Sequence, residues 1–255
     1  MSDIDLDHVA IATLDLVDAL DVTVGRLGGV VVHGGDGYGF RWVQVRLGTA
    51  TTGMTVELLV VWEPEVNDFL ARFVDRHGAG VHHITFKVPD LRATLARAEE
   101  LGLHPVGVNL DNPQWREAFL QPREAHGTVI QLAQTEHEPG GMAAVIERAT
   151  STGVAEGSPR WWPAPPTRAK EAVVLTRIVI ASPDRGATMQ FFAGLLDGAV
   201  DRDDATATDL RWPGGGQIRI VDAPAAGVVH LEGVGDTSAP SAVDLSGATL
   251  TIDAL

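Results

Sequence analysis

Cysteine is absent from this 255-residue chain, and basic residues are few. The lack of cysteine excludes disulfides, thiolate zinc sites and cysteine nucleophiles, and it leaves the redox compartment undetermined. Lysine and arginine number 19 against 34 aspartate and glutamate residues, which gives a formal net charge of −15. Because such a chain repels phosphate backbones and anionic membrane faces, we expect neither a nucleic-acid nor a membrane partner.

Long apolar runs are also missing. No run approaches the roughly 20 apolar residues that span a bilayer. The start, MSDIDLDHVAIA, lacks the basic end and the apolar core of a signal peptide. We therefore expect a cytoplasmic protein, present as a monomer or a homodimer. At this length, two domains are expected rather than one.

An internal repeat organises the chain. The segment HVAIATLDL at 8–16 aligns without a gap on HITFKVPDL at 83–91. Further along, MTVELL at 54–59 aligns on TVIQLA at 128–133, and a third copy of the first segment and its continuation lies at 177–200. Such self-similarity indicates one structural unit copied several times.

Each copy has the pattern of one strand, one helix and three further strands. Period-two alternation of apolar and polar residues predicts half-buried strands, and DHVAIAT is the first of them. An aspartate then opens a stretch with apolar residues at helical spacing, which ends at glycine. The sequence therefore predicts an α+β fold with two βαβββ modules in residues 4–135.

Three segments follow from this pattern. We expect a domain of two modules at 1–137, a Pro/Gly/Ser-rich linker at 138–170, and a degenerate, abbreviated copy of the domain at 171–255. The linker shows no apolar periodicity, and its prolines favour an extended, fairly stiff connection. Only about 20 residues follow the start of a fourth unit at GVVHLEGV, so that unit must be shortened.

Strand alternation brings four polar side chains to one face. Their apolar neighbours on each strand point to the helix, so the polar residues face the other way. If the two modules pair about a two-fold axis, these residues converge: His8, Glu57, His83 and Gln131. Such a mixed N/O set suits a divalent ion such as Ni, Co, Mn, Fe or Zn. The alternative is that each histidine only makes local hydrogen bonds. His82 falls off this face and is expected in an outer layer or at the surface.

These segments resemble the vicinal oxygen chelate superfamily, which includes glyoxalase I, methylmalonyl-CoA epimerase, type I extradiol dioxygenases and fosfomycin- and bleomycin-resistance proteins. The likeness to the glyoxalase and epimerase branch covers residues 4–135 and is most specific at FLQPREAHG. The resemblance implies paired βαβββ modules that form an open curved barrel around a divalent metal. It assigns the ligands to His8, Glu57, His83 and Gln131.

The chain departs from the epimerase pattern in its carboxylates. Epimerases resemble this chain in the two histidines but carry a Gln in the first module and a Glu in the second, so Glu57 and Gln131 are exchanged. The epimerases carry a second catalytic Glu in the first module, and its position corresponds to one near Trp42 in this chain. The exchange of Glu57 and Gln131 is equivalent to a rotation of the epimerase-like site by half a turn about the two-fold axis of the modules. Glu57 then becomes the base that removes a proton, and Glu117, which faces the cavity, becomes the group that returns one. The alternative is that Glu117 is a solvated strand-end residue.

We therefore expect a divalent-metal-dependent isomerase or lyase that acts on a small substrate chelated through vicinal oxygens. Two alternatives remain open, namely a small-molecule or antibiotic-binding protein of the resistance type and a ring-cleaving dioxygenase. The second half carries Arg177 and Arg219 where the first has His8 and Glu57. It is expected to be a degenerate copy, or else an anion-binding pocket with His230.

Overall fold

The protein forms two separate hydrogen-bonded sheets. The structure is a computed structural model that describes residues 3–135, 141–152, 163–236 and 239–254. The first sheet contains β1 (Asp5–Thr13), β2 (Val30–Gly37), β3 (Phe40–Gly48), β4 (Gly53–Val61), β5 (Gly80–Lys87), β6 (Val106–Asn109), β7 (Arg116–Leu120) and β8 (Val129–Gln134). The second contains β9 (Val174–Ser182), β10 (Ala199–Asp203), β11 (Thr208–Arg211), β12 (Gln217–Asp222), β13 (Gly227–Gly235), β14 (Ala242–Leu245) and β15 (Ala248–Ala254).

The order of the strands reproduces the repeat. The first sheet runs β2-β3-β4-β1-β5-β8-β7-β6, so the first strands of the two modules are neighbours at its centre. The second runs β10-β11-β12-β9-β13-β15-β14. The fourth unit has only three strands, and no helix lies in its described residues. The predicted α+β fold, with paired βαβββ modules and a degenerate second copy, is confirmed.

An aspartate starts the helix of each full module, as predicted. Asp15 accepts hydrogen bonds from two backbone N–H groups at the start of α1 (Leu16–Leu20), which continues as a π-helical turn (Asp21–Arg26). Asp90 and Asp184 do the same with one N–H each for α3 (Leu91–Glu100) and α5 (Arg185–Leu196). Each carboxylate satisfies a donor that the first helical turn leaves without a partner in the helix.

Two helices were missed by the sequence analysis. The helix α2 (Phe69–His77) lies between the modules, and α4 (Gly141–Thr152) occupies the first described part of the predicted linker. The expectation of an extended linker was wrong for residues 141–152. There, Met142, Val145, Ile146 and Ala149 pack with β2 at the i, i+3, i+4, i+7 spacing of a helix, a period that the sequence analysis overlooked. Trp161 and Trp162 lie outside the described residues.

The strand β1 also differs from expectation. It is buried on both faces, since Ala10 and Ala12 are as inaccessible as the residues between them. The reason is α2, because Leu70 and neighbouring aromatic side chains cover the face that the alternation leaves open. An apolar strand of this kind cannot be told from a half-buried one by period alone.

The chain divides into two compact units, each built from one module of either half. The first comprises Met1–His8, His83–His137 and Arg177–His230, and Phe86 packs there against Phe192 and Trp212 at ring distances of 6.2 and 5.1 Å.

The second unit comprises Val9–His82, Glu138–Thr176 and Leu231–Leu255. In it, Ser246 donates a 2.9 Å hydrogen bond to Thr13, and the N–H of Val173 donates to the carbonyl of Leu27. The predicted domain boundaries at 137 and 170 come from the sequence repeat, and they stay a prediction. In the described residues, no helix is long and apolar enough to cross a membrane.

Candidate metal centre

Three of the four predicted ligands lie together. His8, Glu57 and His83 belong to β1, β4 and β5, which are consecutive in the first sheet. Each offers one ligand atom, and these atoms all lie within 4.8 Å of one another. All three side chains are buried, and the rings of His8 and His83 meet edge to face at 5.8 Å. This group has the donor types and the spacing that a divalent cation requires.

Asp7 orients the first histidine. Its Oδ2 accepts a 2.7 Å hydrogen bond from Nδ1 of His8, which leaves Nε2 as the nitrogen that can bind a metal. Lys87 forms an ion pair with the other carboxylate oxygen at 2.9 Å. Burial opposes the charged form of Asp7, but Lys87 and His8 outweigh it and hold the pKa of this carboxyl well below its usual range. The carboxylate is therefore ionised at neutral pH.

Glu57 is held from the neighbouring strand. Gln44 lies opposite it in the β3–β4 ladder, and the amide nitrogen of Gln44 donates a 3.1 Å hydrogen bond to Oε1 of Glu57. The charge of Glu57 also acts on His82, whose pKa it raises, although burial dominates and lowers that pKa to about 4. His82 is therefore neutral at pH 7 and packs on Phe73 of α2 at 4.7 Å.

Gln131 approaches the same group through a threonine. The hydroxyl of Thr85 donates a 2.6 Å hydrogen bond to Oε1 of Gln131 and lies 2.9 Å from Nε2 of His8. The amide oxygen of Gln131 and the ligand nitrogen of His8 therefore share one hydroxyl partner. Through Thr85, Gln131 is therefore linked to His8, one of the three residues that lie together.

Glu117 also belongs to this cluster. Its Oε2 accepts a 2.7 Å hydrogen bond from Nε2 of Gln131 and a 2.9 Å bond from Nε1 of Trp115. Glu117 lies opposite Ala133 in the β7–β8 ladder, as Trp42 lies opposite Leu59 in the β3–β4 ladder. Because Leu59 and Ala133 are repeat equivalents, Glu117 occupies the repeat position of Trp42. Glu117 is partly buried and hydrogen-bonded, so it is not the solvated strand-end residue of the alternative interpretation.

The equivalent region of the first module is apolar. Trp42 stacks on His33 with ring centroids 5.1 Å apart and packs with Phe40 and Phe69 against the cluster formed by Ala10, Ala12, Leu59 and Leu70. Within the described residues of this cluster no carboxylate takes the position that Glu117 has in the second module. At this pair of equivalent positions the second module therefore has a carboxylate, Glu117, and the first module has Trp42.

Several of these contributors were not selected from the sequence. Thr85 and Lys87 follow His83 at intervals of two on β5, so the alternation that selected His83 also selects them. Gln44 requires the strand register. Asp7 has the parity of the opposite face, and only the side-chain contact reveals it.

The second sheet has no comparable donor group among its described residues. Arg219, which replaces Glu57, makes two hydrogen bonds to Asp209 at 2.8 and 3.0 Å. Arg177, which replaces His8, donates to Gln217. This ion pair and this hydrogen bond agree with the expectation of a degenerate copy. His126, in the turn before β8, contacts Thr188 at 2.9 Å and packs on Phe191 with ring centroids 5.2 Å apart.

Comparison with known proteins agrees with this description. Residues 7–119 match the family described as the Glyoxalase/Bleomycin resistance protein/Dioxygenase superfamily. A hypothetical protein from Staphylococcus aureus shares the fold over 99% of both chains, with a TM-score of 0.65 and 14% identity. No curated protein matches the chain.

Two further solved structures are similar to about half of the chain. Methylmalonyl-CoA epimerase from Mycobacterium tuberculosis is 26% identical over 52% of this chain and 89% of its own, with a TM-score of 0.46. A hypothetical protein from Bacillus halodurans is 24% identical over 55% of this chain and 100% of its own, with a TM-score of 0.49. The part of the chain that matches the superfamily, residues 7–119, lies within the region 4–135 that carries the resemblance.

Proposed function

We propose that this protein is a divalent-metal-dependent isomerase or lyase of the glyoxalase or epimerase kind. The observation that carries the proposal is the buried group of His8, Glu57 and His83, whose ligand atoms lie within 4.8 Å of one another. In this proposal Gln131 is the fourth ligand, through its amide oxygen. The ion is one of the first-row metals that accept imidazole and oxygen ligands, namely Ni, Co, Mn, Fe or Zn.

The residues around the group fit a resident cation. Two neutral imidazoles and one carboxylate contribute a single negative charge. With a divalent cation bound, the ion and these ligands together therefore keep a net positive charge. When bound, the cation supplies Lewis acidity for a substrate held through two adjacent oxygens, and it stabilises enolate-like charge. Asp7 keeps His8 in the tautomer that has Nε2 available.

Two carboxylates move the proton in this proposal. Glu57 takes a proton from the carbon next to the substrate carbonyl, and Glu117 returns one from the opposite side. Glu117 has one oxygen occupied by Gln131 and Trp115, so its Oε1 is the atom assigned to the substrate. An isomerase of this kind needs a proton acceptor on one face of the substrate and a proton donor on the other. Because Trp42 occupies the first-module position that is equivalent to Glu117, Glu117 is the one carboxylate at this pair of positions.

The test is exchange of a carbon-bound proton. Metal-loaded protein is incubated in D₂O with small α-hydroxyketones, 2-oxoaldehyde hemithioacetals and 2-substituted malonyl thioesters, and NMR follows deuterium incorporation. Metal-dependent exchange with at least one class supports the proposal. Glu117→Gln should retain the metal and lose on the order of 10²-fold or more in rate. Equal exchange in that variant would contradict the role of Glu117.

The two alternatives predict other results. A ring-cleaving dioxygenase loaded with Fe(II) or Mn(II) consumes oxygen when a catechol is added. A drug-binding protein binds its ligand equally with and without metal. Either result, combined with no exchange for any substrate class, would overturn the isomerase or lyase proposal. The cytoplasmic location and the monomeric or homodimeric state stay predictions.

A further inference from the structure

We propose that Glu117 decides which end of the Gln131 amide faces the metal ligands. This inference rests on the proposed function, because it takes Gln131 as a ligand. An amide presents an oxygen at one end and an N–H group at the other, and only the oxygen can bind a metal cation. The two ends have nearly the same shape, so something outside the residue must fix the orientation.

Glu117 fixes it through its hydrogen-bonding type. Oε2 of Glu117 carries no proton, whether the carboxyl is ionised or holds its proton on Oε1 for the substrate, so Oε2 accepts hydrogen bonds. The Gln131 group 2.7 Å from Oε2 must therefore be the N–H end. The indole N–H of Trp115 donates to the same oxygen at 2.9 Å. This second bond holds the carboxylate in place and prevents Oε2 from turning away.

The other end of the amide then faces the ligands. Oε1 of Gln131 accepts the proton of the Thr85 hydroxyl at 2.6 Å, and the same hydroxyl lies 2.9 Å from Nε2 of His8. Gln131 is 6% exposed, and Glu117 lies across the strand pair from Ala133. With the amide reversed, its oxygen would face a carboxylate and its N–H would face the cation, and both contacts repel.

The inference explains why the second module combines Gln131 on β8 with Glu117 on the neighbouring strand β7. A carboxylate at position 131 needs no orienting partner, because both of its ends are oxygens. A glutamine needs one, and Glu117 provides it. Glu117 is thus a positioning residue for the metal ligand, in addition to the proposed proton transfer.

The experiment compares metal affinity in two backgrounds. Glu117→Leu keeps the size of the side chain and removes the acceptor, so the affinity for Ni or Co, measured by competition with a chromophoric chelator, should fall 10–100-fold. Glu117→Gln keeps an acceptor oxygen for Trp115 and Gln131 and should bind within about 3-fold of the wild-type chain. Glu124→Leu, in the same module and bonded to His104, is the matched control and should bind as the wild type does.

The second background separates positioning from structural damage. In Gln131→Glu the ligand has no wrong end, so adding Glu117→Leu should leave the metal affinity unchanged or raise it. The same 10–100-fold loss in both backgrounds would overturn the inference, since it would show general damage. Wild-type affinity of Glu117→Leu in the Gln131 background would also overturn it.

A metal-free measurement distinguishes this inference from the proposed function. In ¹⁵N-labelled protein with chelator, one side-chain amide proton of Gln131 should lie downfield through its bond to the carboxylate, and it should move to the range of a free amide in Glu117→Leu. An amide proton at the free position in the wild-type chain would overturn the inference. If the amide is oriented as expected but the wild-type chain binds no metal, the proposed function fails and the orientation by Glu117 stands.

Discussion

His82 gives the protein a specific sensitivity to acid. Burial between β5 and α2 lowers the pKa of His82 from 6.5 to about 4, and its ring lies 5.6 Å from Phe69 and 4.7 Å from Phe73. As the pH falls below 6.5, the unfolded chain gains a proton at His82 that the folded chain does not accept. The free energy of unfolding therefore decreases, and the contribution is present above pH 6.5 and lost below it.

The magnitude follows from the two pKa values. A shift of one unit corresponds to about 1.4 kcal/mol. For a folded pKa of about 4, the loss at pH 5 relative to pH 7.5 is about 2 kcal/mol, and at pH 4 it is about 3 kcal/mol. The charge of Glu57 opposes the shift, so Glu57→Gln should enlarge the loss.

The assay is urea unfolding of metal-free protein at pH 7.5 and pH 5. Other groups titrate in the same range, so the informative quantity is the difference between the wild-type chain and His82→Phe, which keeps an aromatic ring against α2 and cannot titrate. The wild-type chain should lose about 2 kcal/mol more than His82→Phe between the two pH values. Equal losses would refute the account of His82 as a neutral ring whose partial burial lowers its pKa.

Three further predictions concern the site and its support. Asp7→Asn weakens the acceptor that orients His8, and metal affinity by calorimetry should fall 10–100-fold; an unchanged affinity would show that the 2.7 Å contact does not orient the ligand. Phe86→Ala removes a fully buried ring packed on Trp212 and should cost about 3–5 kcal/mol in urea unfolding. His126→Phe should make the unfolding free energy less dependent on pH below 6.5, because burial lowers the pKa of His126; the same slope in both proteins would contradict it.

Local pattern was enough for the module and for the selection of His8, Glu57 and His83, which the structure brings together. Capping by an aspartate predicts the helix starts at Asp15, Asp90 and Asp184. The alternation of residues along each strand selects His8 on β1 and His83 on β5. These features depend on neighbours in sequence. The family match and the strand order confirm the fold that they predicted.

The features that escaped prediction depend on contacts between distant segments. The cover that α2 places over Ala10 and Ala12 comes from residues about 60 positions later. The exact equivalence of Glu117 and Trp42 requires the register of two ladders, and the sequence defined it only to within one or two residues. The side-chain contact between Asp7 and His8 contradicts strand parity, so alternation alone would have excluded it.

The central claim is that His8, Glu57 and His83 hold a divalent metal, and metal content tests it most directly. Protein reconstituted with Ni, Co, Mn, Fe or Zn and freed of excess is analysed by mass spectrometry of the elements, beside His83→Ala and the control His230→Ala. We predict about one equivalent of metal in the wild-type chain and in His230→Ala, and less than about a tenth of an equivalent in a folded His83→Ala. Equal metal content in His83→Ala and the wild-type chain would contradict the claim.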